Sequence, residues 1–495
     1  MNIDKGIGPA ADSMSPQSTK PVENPTENNG ETMTSRLSQS VTRATALLTD
    51  GYLGSDEVVR HLLDETTSRR TMDLSDLSPE EQAAIVESRS QQLQPGSEAL
   101  VERIQQAAKD SRPFVAKFGI DPTGAEVHLG HAVPMIVLSR FLRMGHKVVF
   151  IVGDITAKIG DPSGRSDERP PLSDEDIARN LSTYREQVTP FFDFTKAEFR
   201  HNSDWLAKIT LPSLIETTSK IPLSMPLQRD DFRNRLDAGH GLSLAELLYS
   251  VAMALDSVEV NCDLEVGGID QFLNMQMGRK VMEIHGQTSE IVVATSLIEG
   301  TDGTGAKMSK SKGNYVPLTA PAGEIFGKLM SIPDRLVDQY LRALSEWTDA
   351  ELDLVNTRVT DGTLHPMDLK KVLAGEVTAA LHGVDAAMKA REEFVSRFSK
   401  KSFGDVDDLP EVTNTDLPVV DILKELGFAK SNGDVRRVAE QNGLRLVIET
   451  GDVQDQVTLT VDDIREPLAA LLKERVTGEG GTYLKVGRKL ARISG

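Results

Sequence analysis

Residues 112–154 read RPFVAKFGIDPTGAEVHLGHAVPMIVLSRFLRMGHKVVFIVGD and contain the pattern that decides the fold. Residues 112–120 read as a buried strand, and residues 146–154 read as a second strand with a β-branched apolar centre. The segment between them, residues 129–145, has the apolar content of a helix and ends at Gly145. A strand, a helix and a strand at this spacing form a βαβ unit, so we predict an α/β fold with a parallel sheet.

The composition of the whole chain limits the class of protein. Its 495 residues exceed one hydrophobic core, so about two to four domains are expected. The single cysteine, Cys262, excludes an internal disulfide and a cysteine zinc site, which suits a reducing cytoplasm. No apolar run approaches the roughly eighteen residues of a membrane span, and the N-terminus lacks the apolar core of a signal peptide.

The charge is unevenly distributed along the chain. A net charge of −20 argues against bulk attraction to nucleic acid or to anionic membranes. Residues 421–495 nevertheless contain twelve acidic and twelve basic side chains, so the excess negative charge lies upstream. A charge-balanced tail is compatible with a separate RNA-binding domain, and equally with chance variation between domains.

Local signals divide the chain into segments. Ser78, Pro79 and Glu81 have the spacing of a capping box with a first-turn proline, which predicts a helix from Pro79 to about Arg89. The first segment is rich in Pro, Asn, Ser, Thr and Glu, which favours disorder. The predicted order is a disordered extension (1–35), a helical region (36–110), the parallel-sheet domain (111–324), an α-helical domain (325–400), a linker (401–416) and a compact α/β tail (417–495).

Two histidines flank a glycine where the first helix is expected to begin. A helix N-terminus presents unpaired N–H groups that favour phosphate, and Gly130 allows a ligand to approach the backbone. His128 and His131 are three residues apart, so both rings lie on one face. They could donate hydrogen bonds to phosphate oxygens. The same pattern also fits a zinc-binding pair or two structural histidines.

Three further motifs contain side chains suited to nucleotide and amine recognition. Lys307 and Lys310, in the glycine-flanked KMSKS stretch, could close over a polyphosphate, although a solvated basic loop has the same composition. Asp161, in GDPSGR (160–165), could hold an ammonium group, or the motif could be a simple turn. GGIDQ (267–271) offers close backbone approach and polar acceptors.

Together these motifs resemble those of class I aminoacyl-tRNA synthetases, and specifically the tyrosyl-tRNA synthetase family. The similarity runs from about Arg112 to Asn314. It resumes in residues 420–446, which resemble the small RNA-binding domain of bacterial members. The resemblance implies a Rossmann-like catalytic domain, an anticodon-side helical domain, a C-terminal RNA-binding domain and a homodimer.

The resemblance also implies roles for individual residues. His128, His131, Lys307 and Lys310 would be catalytic, stabilising the transition state as the amino-acid carboxylate attacks ATP and pyrophosphate leaves. Mg²⁺ would arrive with ATP, and no protein-bound metal is expected. The implied ATP-binding residues are Gly119, Asp121, Thr123, His128, Gly130, His131, Gly268, Asp270, Lys307, Met308, Ser309 and Lys310. The implied amino-acid-binding residues are Lys117, Thr156, Asp161, Tyr249, Met253, Asp256 and Gln271. The implied RNA-binding residues are Ser431, Arg436, Arg437, Lys485, Arg488 and Lys489.

Three positions depart from the family pattern around the amino acid. The family has glutamine at Met253, serine or threonine at Ile269, and in many members tyrosine at Lys117. The implied function is a cytoplasmic tyrosine–tRNA ligase acting on L-tyrosine, ATP and tRNA(Tyr). A ligase for another amino acid and a catalytically inactive tRNA-binding regulator are the alternatives.

Overall fold

The structure is a computed structural model. It describes residues 36–122, 126–161, 172–399, 409–440, 443–450, 453–476, 481–486 and 489–494. The predicted disordered extension, the first half of the predicted linker (401–408), Thr123 and Arg488 therefore lie outside the described residues.

A six-stranded sheet forms the centre of the catalytic region. Its strand order is β1-β6-β5-β2-β3-β4, and every neighbouring pair is parallel except β1 with β6. The predicted strand–helix–strand unit is confirmed, because β2 pairs in parallel with β3 across the intervening helix. The strands are β1 (Gln92–Gln94), β2 (Val115–Ile120), β3 (Lys147–Val152), β4 (Glu198–His201), β5 (Leu264–Gly268) and β6 (Ile291–Thr295).

The N-terminal region contributes four helices and the antiparallel edge strand β1. The predicted capping box is confirmed: Ser78 Oγ accepts from the Glu81 N–H at 3.2 Å, and Glu81 Oε2 accepts from the Ser78 N–H at 2.8 Å. That helix ends at Glu87, with Ser88 as its C-cap. The four helices are α1 (Arg36–Asp50), α2 (Asp56–Ser68), α3 (Pro79–Glu87) and α4 (Ser97–Lys109).

In the described part of the catalytic region, eight helices surround the sheet and connect its strands. Helix α5 crosses from β2 to β3 and buries an apolar surface that includes Met135, Leu138 and Phe141. The eight are α5 (Leu129–Arg143), α6 (Thr156–Ile159), α7 (Asp174–Val188), α8 (Ser203–Leu206), α9 (Leu211–Thr218), α10 (Asp230–Asp237), α11 (Leu244–Val260) and α12 (Phe272–Ile284).

A helical segment follows the sheet and shares one hydrophobic core with the N-terminal region. Buried charge pairs join the two regions: the Arg69 guanidinium donates to both Glu351 carboxylate oxygens at 2.7 and 2.8 Å, and both side chains are buried. The helices are α13 (Ala322–Met330), α14 (Val337–Leu344), α15 (Asp349–Thr360), α16 (Pro366–His382) and α17 (Val384–Ser399).

The tail forms a second sheet over its own core of apolar residues that includes Val419, Leu423 and Leu484. Its strand order is β7-β11-β10-β8-β9. The predicted linker is too long at its C-terminal end, because Glu411 and Val412 pair with β11 and Val412 is buried. The elements are β7 (Glu411–Val412), α18 (Val419–Glu425), α19 (Asn432–Glu440), β8 (Leu444–Thr450), β9 (Val453–Thr458), α20 (Leu468–Arg475), β10 (Gly481–Val486) and β11 (Lys489–Ile493).

Within the part of the chain that the structure describes, no helix combines the length and apolarity that crossing a bilayer requires.

Candidate active site

A cavity of about 750 Å³ opens at the carboxyl ends of β2, β3, β5 and β6. Ligands bind at this edge in open α/β sheets, because the loops that follow parallel strands converge there. The cavity brings together most of the residues singled out from the sequence. Those that line it are Gly119, Asp121, His128, Gly130, His131, Thr156, Asp161, Tyr249, Met253, Asp256, Gly268, Asp270, Gln271, Lys307, Met308 and Ser309.

The two histidines form the N-terminal cap of α5. His128 Nδ1 accepts from the Gly130 N–H, and His131 Nδ1 accepts from the His128 N–H, both at 3.2 Å. The ring centroids are 4.0 Å apart. Because each Nδ1 is an acceptor, the proton of each neutral ring resides on Nε2. Both rings line the cavity, so each can offer a neutral N–H donor to a ligand.

Burial and nearby cations keep these imidazoles uncharged. Burial, together with His131 and Lys310, lowers the pKa of His128 to about 2. Burial and Lys310 lower the pKa of His131 to about 4. The rings therefore remain neutral throughout the physiological pH range, with their protonation state independent of small pH changes.

The KMSKS loop closes one side of the same cavity. Lys307 Nζ lies 3.0 Å from Asp270 Oδ2, and the Ser309 N–H donates to Asn314 Oδ1 at 2.9 Å. Lys310 opens a short 3-10 turn and is exposed. It is not among the described residues that line the cavity, but its charge acts on both imidazoles. A cationic loop therefore faces the two neutral donors.

Polar side chains converge on Asp121 and Asp161. Asp121 Oδ1 accepts from Thr156 Oγ1 at 2.6 Å, and Asp121 Oδ2 accepts from the Tyr249 hydroxyl at 2.8 Å. Gln271 Nε2 donates to Asp161 Oδ2 at 2.7 Å. Two carboxylates in one cavity can hold a cationic group and hydroxyl donors.

Gly153 is a residue of this site that the sequence analysis missed. A Cβ atom there would lie 2.1 Å from Asp121 Oδ1 and 2.2 Å from Thr156 Oγ1. A larger residue would therefore displace the hydrogen bond between Asp121 and Thr156. The GD dipeptide that follows the second predicted strand is the signal that could have identified it.

Asp256 forms a buried polar position in the wall of the cavity. Its carboxylate is 3% exposed, and its Oδ1 accepts from Trp205 Nε1 at 2.9 Å while Asn202 Nδ2 lies 3.5 Å from Oδ2. Burial raises the pKa of Asp256 to about 7, while the positive charge of Lys117 opposes that rise. Trp205 and Asn202 are far from Asp256 in sequence, and no local pattern marked them.

Lys117 lies behind the cavity wall. It is not among the described lining residues, and its Nζ donates to Ser257 Oγ at 2.7 Å and lies 2.9 Å from Glu265 Oε1. The distance between the Lys117 ammonium group and the Glu265 carboxylate is that of an ion pair, but their relative orientation does not form a hydrogen bond. Lys117 is fully buried, and a buried ammonium group requires such a counter-charge.

Comparison with known proteins identifies the family. The family model for class I tRNA synthetases (W and Y) matches residues 109–399. The tyrosine–tRNA ligase of Thermotoga maritima is 39% identical over 420 residues, which cover 85% of this chain and 98% of the relative. That of Geobacter sulfurreducens is 41% identical, covering 70% of this chain and 86% of the relative. The chain belongs to the class I tyrosyl-tRNA synthetases.

Solved structures agree with the fold of this synthetase. A C-terminally truncated mitochondrial tyrosyl-tRNA synthetase of Aspergillus nidulans superposes with a TM-score of 0.51 at 20% identity, covering 73% of this chain and 98% of that one. The tyrosyl-tRNA synthetase of Aeropyrum pernix gives a TM-score of 0.50, covering 65% and 100%. The predicted Rossmann-like catalytic fold is therefore confirmed.

Two of the three residues that depart from the family pattern lie against the same apolar cluster in this synthetase. Met253 and Ile269 both pack against the apolar cluster of Met275, Val292 and Ala294. Met253 also lines the cavity. The apolar side chains at both positions therefore contact one shared apolar cluster.

The predicted RNA-binding residues of the synthetase lie in the tail. Ser431 Oγ accepts from the Asp434 N–H at 3.2 Å at the start of α19, and Arg436 pairs with Glu440 at 3.0 Å. Arg437, on the same helix, lies 3.6 Å from Asp434. Lys489 Nζ donates to the Gly427 carbonyl at 3.0 Å, which brings β11 to the turn before α19. Lys485 lies on β10, in a half-buried position.

Proposed function

We propose that this protein is a tyrosine–tRNA ligase that activates L-tyrosine with ATP and transfers the tyrosyl group to the 3′ end of tRNA(Tyr). One observation carries the proposal: a single cavity combines two neutral imidazole donors and a lysine loop with the buried carboxylate of Asp256. The donors and lysines suit a polyphosphate, and the buried carboxylate suits a phenol hydroxyl.

The adenylation step needs no protein nucleophile. The tyrosine carboxylate attacks the α-phosphate of ATP, a P–O bond forms, and pyrophosphate leaves with the electrons of the broken P–O bond. His128 and His131 donate Nε2–H bonds to phosphate oxygens as negative charge develops. Lys307 and Lys310 neutralise the departing pyrophosphate, and Mg²⁺ enters as part of the ATP substrate. Catalysis is then positioning and charge stabilisation.

The remaining site residues recognise tyrosine. In this proposal Asp161, with Gln271 and Tyr249, binds the α-ammonium group, and Asp256 accepts a hydrogen bond from the phenol. Asp270 and the backbone at Gly268 contact the ribose. Phenylalanine would leave the buried Asp256 carboxylate without that partner, which is unfavourable.

Amino-acid-dependent exchange of pyrophosphate into ATP tests this function directly. The wild-type protein is expected to catalyse exchange with tyrosine and far more slowly with the other nineteen amino acids. Exchange with a different amino acid would instead support a ligase of altered specificity, which the apolar Met253 and Ile269 favour. Specific tRNA binding without exchange for any amino acid would support the inactive regulator.

The KMSKS loop supplies a matched pair of lysines for a prediction about catalysis. Lys310 and Lys312 are both exposed in one 3-10 turn, but the charge of Lys310 acts on both imidazoles. We expect Lys310→Ala to slow exchange about 10- to 100-fold through lost stabilisation of pyrophosphate. Lys312→Ala is the control and should stay within about twofold. Equal losses in the two variants would contradict the assignment of Lys310.

Exposed apolar side chains support a homodimer as part of the proposal. Among the described residues, most of the exposed large apolar side chains lie in one stretch of the catalytic region. We propose that these side chains form one apolar surface, as expected of an interface between protein chains. The side chains of this apolar surface are Leu211, Ile215, Leu223, Leu236, Leu244 and Leu273.

The dimer proposal predicts that a charge on this surface produces monomers. Leu244 is 73% exposed, so Leu244→Asp should not unfold the subunit but should shift sedimentation to the monomer. Tyr52→Asp is the control, since Tyr52 is 71% exposed and lies in the N-terminal region. Dimers that persist in Leu244→Asp, or a wild-type monomer, would contradict the proposed interface.

The domains outside the sheet complete the proposed reaction. Residues 325–399 would lie on the anticodon side of the tRNA, and the tail from residue 417 would bind its backbone. Ser431, Arg436, Arg437, Lys485 and Lys489 would contact phosphates, so tRNA binding should weaken as salt increases. We place the reaction in the cytoplasm, the site of tRNA aminoacylation for bacterial protein synthesis.

A further inference from the structure

A continuous line of hydrogen bonds leads from a buried arginine to the carboxylate of Asp161. Arg229 Nη1 donates to Asn274 Oδ1 at 2.8 Å. Asn274 Nδ2 donates to Gln271 Oε1 at 2.8 Å, and Gln271 Nε2 donates to Asp161 Oδ2 at 2.7 Å. Arg229 is 5% exposed and Asn274 is 1% exposed. Gln271 and Asp161 line the cavity, whereas Arg229 and Asn274 are not among its described lining residues.

The charged ends determine the direction of every bond in this line. A guanidinium group only donates, so Asn274 must turn its oxygen toward Arg229 and its amide nitrogen toward Gln271. Gln271 must then turn its oxygen toward Asn274 and its nitrogen toward Asp161. A carboxylate only accepts, so the direction is also correct at the far end. Neither amide can rotate by 180° without placing two donors or two acceptors together.

We propose that Arg229 and Asn274 are positioning residues for amino-acid recognition, which hold Gln271 as a donor to Asp161. Gln271 thereby fixes the orientation of the Asp161 carboxylate, which in the proposed function binds the α-ammonium group of the substrate. The inference rests on the proposed function, because it assigns the amine to Asp161. It adds two residues that contact neither the substrate nor the reacting atoms.

The surroundings of Arg229 support a positioning role. Its guanidinium lies 3.3 Å from Asp231 and 5.0 Å from the centroid of the Phe232 ring, so it has a defined position at the start of α10. Burying an arginine and an asparagine is costly, and apolar residues of similar volume are often at least as stabilising as buried charged groups. The hydrogen bonds from these two buried polar residues lead to a ligand-binding carboxylate. A role in the active site therefore explains their presence better than a contribution to stability does.

The substitution Asn274→Asp tests the direction of the line. Aspartate has the shape of asparagine and still accepts from Arg229, so the contact with Arg229 and the fold should persist. It cannot donate to Gln271, whose amide must then rotate to donate to residue 274. The Gln271 oxygen would face the Asp161 carboxylate, and two acceptors repel. Asp161 should therefore move or lose its orientation toward the amine.

The expected measurements distinguish recognition of the amine from recognition of the rest of the substrate. In exchange assays, Asn274→Asp should raise the KM for tyrosine about 10- to 100-fold, while kcat and the KM for ATP change less than about threefold. Tyramine and 4-ethylphenol differ only in the amine. Both compounds are used as competitive inhibitors of tyrosine. The inhibition constant of tyramine should rise about 10- to 100-fold, and that of 4-ethylphenol should change less than about twofold.

Three further variants complete the experiment. Asn234→Asp makes the same chemical change at an exposed position of α10 and should resemble the wild type. Arg229→Met should reproduce the selective loss of affinity for tyramine. Arg229→Lys keeps a donor and should retain part of that affinity. An unchanged tyrosine KM in Asn274→Asp, or equal losses for tyramine and 4-ethylphenol, would overturn the inference. A wild type without tyrosine-dependent exchange would instead reject the proposed function.

Discussion

Replacing His131 with alanine is expected to lower the rate of tyrosine-dependent pyrophosphate exchange by about 10²- to 10³-fold. The His131 ring is neutral because burial and Lys310 lower its pKa to about 4, and its Nδ1 is already an acceptor. Its Nε2–H is therefore a fixed donor in the cavity, and its loss removes stabilisation of the transition state. Because the rate depends on an uncharged ring, wild-type exchange should show no titration of His128 or His131 between pH 6 and 8.

His365 provides a control for this prediction. It caps α16 through an Nδ1 that accepts from the Met367 N–H at 3.1 Å, and it is exposed. His365→Ala should therefore lose a similar cap, worth about 1 kcal/mol, without loss of exchange. Binding of tRNA to His131→Ala should match the wild type. Exchange by His131→Ala within about threefold of the wild type would contradict a catalytic role for this ring.

Replacing Asp256 with asparagine is expected to lower kcat/KM for tyrosine about 10- to 100-fold and to leave that for phenylalanine nearly unchanged. Asparagine keeps the shape of the side chain but removes the charge that strengthens a bond from the phenol. Burial raises the pKa of Asp256 to about 7, so its anion forms as the pH rises through that value. The wild-type KM for tyrosine should therefore fall between pH 6 and 8, and that of Asp256→Asn should not.

Glu259→Gln is the matched control, because Glu259 lies on the same helix and is 44% exposed. It should keep both the tyrosine preference and the pH dependence. A variant Asp256→Asn that still discriminates tyrosine from phenylalanine as the wild type does would show that another group recognises the phenol. A flat wild-type pH profile would show that Asp256 does not titrate in this range.

Much of the fold could be predicted because its signals are local. The apolar runs of β2 and β3 and the helix between them determine a βαβ unit wherever they occur. The capping box at Ser78 closes within four residues, so it too is independent of the rest of the chain. Motifs that place glycine and polar side chains directly after strands predict the edge of the sheet at which a ligand binds.

Long-range contacts could not be predicted in the same way. Val412 pairs with β11 across about eighty residues, and Arg69 meets Glu351 across nearly three hundred, so no local spacing connects them. Lys117 has the position of a pocket residue in the motif, but the structure directs its ammonium group toward Glu265 and Ser257. A buried charged group requires a nearby counter-charge, and only tertiary packing determines which residue supplies it.

The sequence by itself determined the parallel-sheet fold, the start of a helix near His128, and the family, since each depends on residues close together in the chain. Tertiary structure alone decided the protonation of His128 and His131, the partners of Asp256 and the line from Arg229 to Asp161. Each of these depends on burial and on atoms brought together from distant segments. Desolvation and hydrogen-bond direction are properties of a packed interior, and the chain acquires them only when it folds.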